Sequence, residues 1–149
     1  RTPMQWDDTA QGGFTEGEPW LPVNPNTAQI NVEAARADQG SIFHFYKQLI
    51  ALRHEVPIVS FGDFRMILED DPTVYAFTRH LGDEALLVVG NLSSDEIAVE
   101  VPDATAWDDA ELLLGNYNEG DFRVSGMTLR PWEGRVYRRG ATGGAQTGA

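Results

Sequence analysis

The sequence predicts a mainly β protein in which a loop and helix block precedes a C-terminal antiparallel β-sandwich domain. Three observations lead to this prediction. Proline and glycine interrupt the first 29 residues, one strongly apolar helical pattern follows, and beyond Pro57 apolar residues recur with a period of two in short runs. We therefore expect the loop and helix block in residues 1–57 and the β-domain in residues 58–140.

The first 29 residues predict an irregular segment that packs on a larger body of protein. Proline and glycine punctuate it at Pro3, Gly12, Gly13, Gly17, Pro19, Pro22 and Pro25. It also carries the bulky side chains of Trp6, Phe14, Trp20, Leu21 and Val23. Loops of this length without secondary structure are uncommon in a compact domain, and they are usually functional or packed on a larger body.

Two helices are predicted next. Asn31 is a suitable N-cap for a short helix over residues 32–37, and Ser41 for a longer helix that reaches Glu55 and ends before Pro57. The apolar side chains of the longer helix cover well over half of its circumference, whereas a surface helix needs a stripe only about 100° wide. We expect this helix to be covered on more than one side.

The remaining sequence predicts short antiparallel strands. Apolar positions alternate in runs around residues 64–68, 74–78, 85–92, 97–101, 112–114, 127–129 and 135–137. Turn signals separate many of these runs, as in Asp70-Asp71-Pro72 and Leu81-Gly82-Asp83. Regularly spaced short strands are typical of a sandwich or barrel. Residues 141–149, rich in Gly, Ala and Thr, are predicted to form a disordered tail.

Composition and charge exclude several classes of function. The chain has 149 residues, no apolar run approaches the roughly 18 needed to span a membrane, and we expect a soluble protein with no membrane partner. Its formal charge of −12 repels phosphate backbones, which argues against nucleic acid as a partner. The sequence has no cysteine and its N-terminus has no secretory pattern, so we expect a cytoplasmic location.

The loop and helix block has surplus apolar surface, and the predicted β-domain could close its own core without covering it. A self-contained module should bury Phe43, Phe45, Tyr46 and Leu49 within its own fold. The C-terminal piece of a larger protein should instead leave some of them exposed, or cover them by self-association through the helix. We expect the second case, in which the preceding part of the same protein is the natural partner.

Several motifs in order closely resemble glycoside hydrolase family 13, the α-amylase superfamily. They are RTPMQWDD at residues 1–8, GGFT at 12–15, PWLPVNPN at 19–26, INVEA at 30–34, SIFHFYKQLIALRH at 41–54 and LRPWEGRVYRR at 129–139. The resemblance is to the branch of oligo-1,6-glucosidases and α-glucosidases, which also includes trehalose-6-phosphate hydrolases and sucrose isomerases. It covers nearly all of the chain except the tail.

This resemblance implies an architecture and an activity for the parent protein. Residues 1–57 would be the last loop and last helix of a truncated catalytic (β/α)8 barrel, and the missing barrel of the same chain would be the partner. The parent would be a retaining glycosidase acting on short oligosaccharides with two carboxyl groups and no cofactor. Those carboxyl groups would precede Arg1, so we expect no catalytic residue here and no activity from this chain alone.

The resemblance also suggests substrate-binding residues in the RTPMQWD loop. Arg1 would lie near the pocket for the non-reducing glucose, where a guanidinium can bind an aspartate and sugar hydroxyls. A role for Arg1 in stabilising the loop alone stays open. Met4, Gln5 and Trp6 would line the entrance, although Met4 and Trp6 could instead pack the loop on the barrel. The same two roles are open for Trp20.

Other candidate sites are weaker. The acidic pairs at Asp7-Asp8, Asp70-Asp71 and Asp108-Asp109 are expected in turns, because a retaining site needs two carboxyl groups about 5 Å apart across a cleft. No metal site is expected, since His44, His54 and His80 lack a second histidine at ligand spacing. In the alternative function, a free-standing carbohydrate-binding β-sandwich, the Trp6 loop or Trp107 would stack on sugar, and Trp132 is expected to be packed.

Overall fold

The computed structural model describes residues 1–140, so the predicted disordered tail lies outside the described part. The α-helices are α1 (Val32–Ala37), α2 (Ile42–Glu55) and α3 (Pro57–Phe61), and short 3-10 helices cover Ala10–Gly13 and Ala104–Trp107. The strands are β1 (Asp63–Ile67), β2 (Val74–Leu81), β3 (Glu84–Asn91), β4 (Ile97–Ala98), β5 (Glu111–Gly115), β6 (Thr128–Leu129) and β7 (Gly134–Arg139). The chain divides into two compact units, Arg1–Ala51 and Leu52–Ala149, and α2 runs across their boundary.

The helix start at Asn31 agrees with the sequence prediction, whereas Ser41 does not cap as expected. Asn31 Oδ1 accepts a hydrogen bond of 2.8 Å from the backbone N–H of Ala34, which satisfies a free donor of α1. Helix α2 begins directly after Ser41, but the Ser41 hydroxyl donates to the carbonyl oxygen of Ala35 at 2.5 Å. Ser41 therefore ties α2 to the end of α1.

Helix α3 was not predicted, because Pro57 was expected only to end the preceding helix. Val56 is extended, with φ −112° and ψ 96°, and Pro57 then occupies the first position of a new helical turn. Proline is favoured there because the first helical N–H has no partner inside the helix. Gly62 closes α3 by donating to the carbonyl oxygen of Ile58 at 3.0 Å, and Ile58 is completely buried.

The β unit is antiparallel, as predicted. Its main sheet has five strands in the order β1-β2-β3-β7-β5, and β4 pairs with β6 in a second sheet of two strands. A two-residue turn at Gly82 and Asp83 joins β2 to β3, with Leu81 opposite Glu84. Gly82 has φ +58°, which suits the left-handed geometry that such tight hairpin turns require.

The core of the β unit lies against one face of the main sheet. Strands β2, β3 and β7 contribute Val74, Ala76, Ala85, Leu87, Val89 and Tyr137. The chain that includes β4 and β6 contributes Val99, Val101, Trp107, Val124, Met127 and Leu129. Strand β4 is shorter than the alternation predicted, yet Val99 and Val101 still enter the core beyond its end.

Helix α2 leaves much of its apolar surface exposed. Phe43, Tyr46 and Leu49 are 44%, 62% and 38% exposed, and no α2 residue is fully buried. Phe45 is half-buried. Of the two cases distinguished by the sequence, this pattern agrees with the one in which the helix face is not satisfied by the chain itself.

Candidate functional site

The RTPMQWD loop is held in an extended path by hydrogen bonds to the start of α1. The backbone carbonyl oxygens of Gln5 and Trp6 accept from the N–H groups of Val32 and Glu33, at 2.9 and 3.0 Å. The Trp6 N–H donates to the carbonyl oxygen of Gly12 at 2.7 Å. The second half of the loop, from Gln5 onward, is therefore anchored by contacts within its own unit.

Gln5 serves this anchoring with its side chain. Its Nε2 donates to Asn26 Oδ1 at 3.0 Å and to the carbonyl oxygen of Ile30 at 2.5 Å, which occupies both amide donors. Asp7 has a comparable role, since Asp7 Oδ1 accepts from the Thr9 hydroxyl and from the Thr9 N–H. These hydrogen bonds lower the pKa of Asp7 below its usual value.

Arg1 lies on a cleft of about 460 Å³. The cleft is lined by Arg1, Thr2, Pro3, Phe14, Thr15, Glu18, Pro19, Trp20 and Leu21. Trp20 is 91% exposed and Phe14 is 51% exposed, so aromatic surface, a guanidinium and a carboxylate stand around one open space. Stacking surfaces combined with polar groups are suited to a sugar ring, which has apolar C–H faces and a polar rim.

Of the four predicted substrate-binding residues, only Arg1 lines this cleft. Trp6 lines a different one of about 490 Å³, together with Asp7, Val32, Glu33, Arg36 and Ala37. Met4 is half exposed and lines neither cleft, and the Gln5 amide is engaged in holding the loop. Trp20 lines the cleft together with Arg1. The sequence left the role of Trp20 undecided because its position depends on the path of the whole segment.

The described residues hold no assembled metal site and no membrane-spanning helix. Across residues 1–140, no three His, Asp or Glu side chains stand together in a group able to bind a metal ion. None of the helices in this range is long and apolar enough to cross a bilayer.

The two tryptophans of the β unit differ from expectation. Trp132 was expected to be packed, but it is 61% exposed and has φ +58°. Trp107, considered as an exposed sugar platform, is only 4% exposed, and the Arg139 guanidinium lies 4.2 Å from its ring centroid. A left-handed turn before β7 places the Trp132 residue outside the core, whereas Trp107 joins the core cluster.

A buried ion pair lies directly after Trp132. Glu133 Oε1 accepts from Arg135 Nε at 2.8 Å, and Glu133 Oε2 accepts from the backbone N–H of Arg130 at 2.8 Å. Burial raises the pKa of Glu133, but the hydrogen bonds and positive charges of Arg135 and Arg130 outweigh it, so the pKa lies below its usual value. The carboxylate is therefore kept ionised as a structural group.

Two family models match the chain in succession. The model of the α-amylase catalytic domain matches residues 1–62, and the model of the α-amylase SusG C-terminal domain matches residues 74–136. Together they reach from the RTPMQWD loop into the last described strand.

Curated relatives match almost the whole chain but extend far beyond it. The chain is 48% identical over 139 residues to an oligo-1,6-glucosidase of Parageobacillus thermoglucosidasius, covering 93% of this chain and 25% of that protein. It is 47% identical over 140 residues to a trehalose-6-phosphate hydrolase of Bacillus subtilis, with the same coverage of 93% and 25%. The chain thus spans about a quarter of the length of these relatives.

Solved structures agree in fold over the same range. The trehalose-6-phosphate hydrolase of Bacillus licheniformis superposes with a TM-score of 0.85 at 39% identity, covering 91% of this chain and 25% of that one. An isomaltulose synthase of Klebsiella sp. LX3 gives a TM-score of 0.82 at 36% identity, covering 92% of this chain and 24% of that one.

Proposed function

The chain belongs to glycoside hydrolase family 13, the α-amylase superfamily, and on that basis we propose that it is the C-terminal part of an α-glucosidase or oligo-1,6-glucosidase. In this proposal residues 1–57 form the end of the catalytic barrel and residues 58–140 the C-terminal domain. The whole enzyme is a retaining glycosidase acting on short α-glucosides. The observation that carries the proposal is the Arg1 cleft, which combines charge and aromatic surface at the first motif of the resemblance.

In the proposed enzyme Arg1 is the substrate-binding residue of this chain. Its guanidinium offers five donors in a fixed plane, which suits an aspartate and the hydroxyls of a terminal glucose. Trp20 adds an exposed aromatic face on the same cleft. Gln5 positions the loop through Asn26 and Ile30, while Met4 and Trp6 lie further along it with half-exposed side chains.

We assign no catalytic carboxylate to the described residues. Retaining hydrolysis needs a nucleophile and an acid/base group about 5 Å apart across the scissile bond. The acidic pairs instead organise turns: Asp71 Oδ1 accepts from the N–H groups of Thr73 and Val74, and Asp108 accepts from Ser125. The chain by itself is therefore proposed to be inactive as a glycosidase.

The exposed face of α2 supports the proposed partner, which is the preceding part of the catalytic barrel. Phe43 and Tyr46 present large aromatic surface without cover, and patches of this kind mark surfaces that bind other protein. A free-standing carbohydrate-binding module, the alternative function, has no reason to leave them exposed. If the chain is prepared alone, this face should promote self-association, which sedimentation velocity would detect as a concentration-dependent increase in mass.

A chimaera tests the proposed function directly. This chain would replace the matching 25% of the Parageobacillus oligo-1,6-glucosidase, and hydrolysis of isomaltose and p-nitrophenyl α-glucoside would be measured. We expect kcat/KM within about tenfold of the natural enzyme, a loss of no more than about 1.4 kcal/mol in transition-state binding. The chain alone should give background rates.

Two results would contradict the proposal. One is a folded chimaera, with cooperative thermal unfolding, that hydrolyses neither substrate. The other is measurable hydrolysis by the chain alone.

A further inference from the structure

The turn that carries Trp132 has a strained backbone that is fixed from two sides. A φ of +58° lies in the left-handed region, which large side chains occupy only at a cost. The Trp132 N–H donates to the carbonyl oxygen of Ser93 at 3.1 Å. Its carbonyl oxygen accepts from Asn116 Nδ2 at 2.8 Å. Two segments that are distant in sequence thus hold this one residue in place.

The residues on either side of Trp132 are fixed as well. The Tyr117 hydroxyl donates to the carbonyl oxygen of Pro131 at 3.0 Å, and Asn116 Oδ1 accepts from the Gly134 N–H at 2.8 Å. Glu133, whose side chain is fully buried, accepts from the N–H of Arg130 at 2.8 Å. The turn is therefore rigid, although it lies at the surface.

These contacts hold in place an indole ring that the fold itself does not use for packing. Trp107 is buried in the core of the β unit, whereas Trp132 is 61% exposed. Strained residues that their surroundings hold in place cluster at ligand-binding sites, where rigidity reduces the cost of binding. The observed strain and the exposed ring together point to a ligand.

We propose that Trp132 is the stacking platform of a second carbohydrate-binding site, for an α-linked glucose oligosaccharide, on the β unit. The indole would pack against the C–H face of one glucose ring. Tyr117 and Arg130 stand beside the turn, with the Arg130 guanidinium 4.6 Å from the Tyr117 ring centroid, and they supply polar groups for the sugar hydroxyls.

An uncharged sugar fits the electrostatics of the chain. With a formal charge of −12, the protein repels anionic ligands at long range, whereas a neutral oligosaccharide is unaffected. The choice of α-glucosides as the sugar class rests on the proposed function, but the platform itself does not. Trp132 and the Arg1 cleft belong to different units, so variants can address them separately.

Nuclear magnetic resonance of the 149-residue chain tests the proposal, since its four tryptophans give separate indole N–H signals. Maltotetraose and isomaltotetraose would be titrated, and the Trp132 signal identified by its loss in Trp132→Asn. Asparagine tolerates the left-handed backbone, so this variant removes the ring while keeping the turn. We expect a saturable shift of the Trp132 indole with at least one of the sugars.

The matched control is Trp20→Asn, which removes another exposed indole. We expect it to keep the saturable shift at Trp132, whereas Trp132→Asn should lower the affinity measured by calorimetry at least tenfold. Trp132→Tyr should recover part of that affinity, because a smaller aromatic ring still stacks. The proposal is overturned if the Trp132 indole does not respond to either sugar, or if Trp132→Asn binds as tightly as the natural chain.

The outcome is separable from that of the proposed function. In the chimaera, Trp132→Asn should leave kcat/KM for p-nitrophenyl α-glucoside unchanged, because this substrate has a single sugar ring and binds at the catalytic pocket. An inactive chimaera whose Trp132 indole still responds to sugar would contradict the proposed function alone. An active chimaera without that response would contradict the second site alone.

Discussion

Glu133 and Arg135 form a buried ion pair, with 2.8 Å between Glu133 Oε1 and Arg135 Nε and side-chain exposures of 0% and 2%. The guanidinium also donates to the carbonyl oxygen of Asp121 at 3.0 Å and contacts the Tyr137 hydroxyl at 3.3 Å. Removing one partner leaves an uncompensated buried charge. We expect Glu133→Gln to lower the free energy of unfolding of the β unit by about 3–5 kcal/mol, as measured by urea denaturation.

The pair between Glu84 and Arg138 provides the matched control, because both side chains are partly exposed. Glu84→Gln should cost at most about 1 kcal/mol, since solvent screens the pair. Glu133→Leu combined with Arg135→Met should be less destabilising than Glu133→Gln, because the double variant removes both buried charges. Equal losses of unfolding free energy in Glu133→Gln and Glu84→Gln would show that the buried pair contributes no more stability than the partly exposed one.

The β unit should lose stability in acid. The hydrogen bond from Arg123 lowers the pKa of Asp121 to about 2, and hydrogen bonds also lower the pKa values of Asp71 and Asp108. Carboxylates whose pKa is lower in the folded state stabilise it at pH values above their unfolded pKa, and that contribution disappears as the pH falls through the folded pKa. The expected loss lies between the ordinary aspartate pKa of 3.8 and the folded-state pKa of Asp121, about 2.

Urea denaturation at a series of pH values checks this expectation. Asp108→Asn should lose less stability than the natural chain over that range, because one of the titrating groups is gone. Asp109→Asn controls for the loss of a charge at the neighbouring position. A free energy of unfolding that stays constant or rises as the pH falls from 3.8 to about 2 would contradict the assignment.

Gly13 should be difficult to replace in the N-terminal unit. Its φ is +64°, and a Cβ at this position would overlap the carboxylate of Asp7. We expect Gly13→Ala to destabilise the loop by about 1–2 kcal/mol, a 5–30-fold loss of hydrogen-exchange protection at the Trp6 N–H. Gly17→Ala is the control, since the nearest atom to its added Cβ is Thr15 Oγ1 at 3.9 Å. Equal protection in both variants would contradict the steric argument.

Arg1 should matter for hydrolysis in the chimaera. Arg1→Ala should lower kcat/KM for isomaltose by about 10–100-fold, because the proposed contacts to an aspartate and sugar hydroxyls are lost. Arg1→Lys should recover little, since an ammonium cannot reproduce the planar set of donors. Arg123→Ala, which removes an exposed arginine of the β unit, should leave kcat/KM unchanged. Full activity in Arg1→Ala would limit Arg1 to a role in the loop.

The sequence predicted the elements that local signals determine. The cap at Asn31 and the hairpin turn at Gly82 depend on a few neighbouring residues, and the structure has both. The new helix at Pro57 was missed because proline is common both just after the end of a helix and at the first position of a new one. The strands were located because the alternation of apolar residues reflects one buried face.

The exposure of the two β-unit tryptophans could not be predicted, because it depends on contacts between distant segments. Trp132 is held by Ser93 and Asn116, which the pairing of β7 between β3 and β5 brings beside it. The candidate site shows the same limit. Arg1 and Trp20 line one cleft only because of the path taken by the intervening loop. Met4 and Trp6 are closer to Arg1 in sequence, yet Trp6 lines a different cleft and Met4 lines neither.

The position of β7 in the main sheet sets an order for folding during synthesis. Strands β1, β2 and β3 can pair as soon as they leave the ribosome, but β5 finds its partner only when β7 has followed. A nascent chain stopped before Gly134 would leave one edge of β3 unpaired and β5 with no partner strand, and unpaired edges promote aggregation. Premature termination near this strand should therefore yield insoluble product.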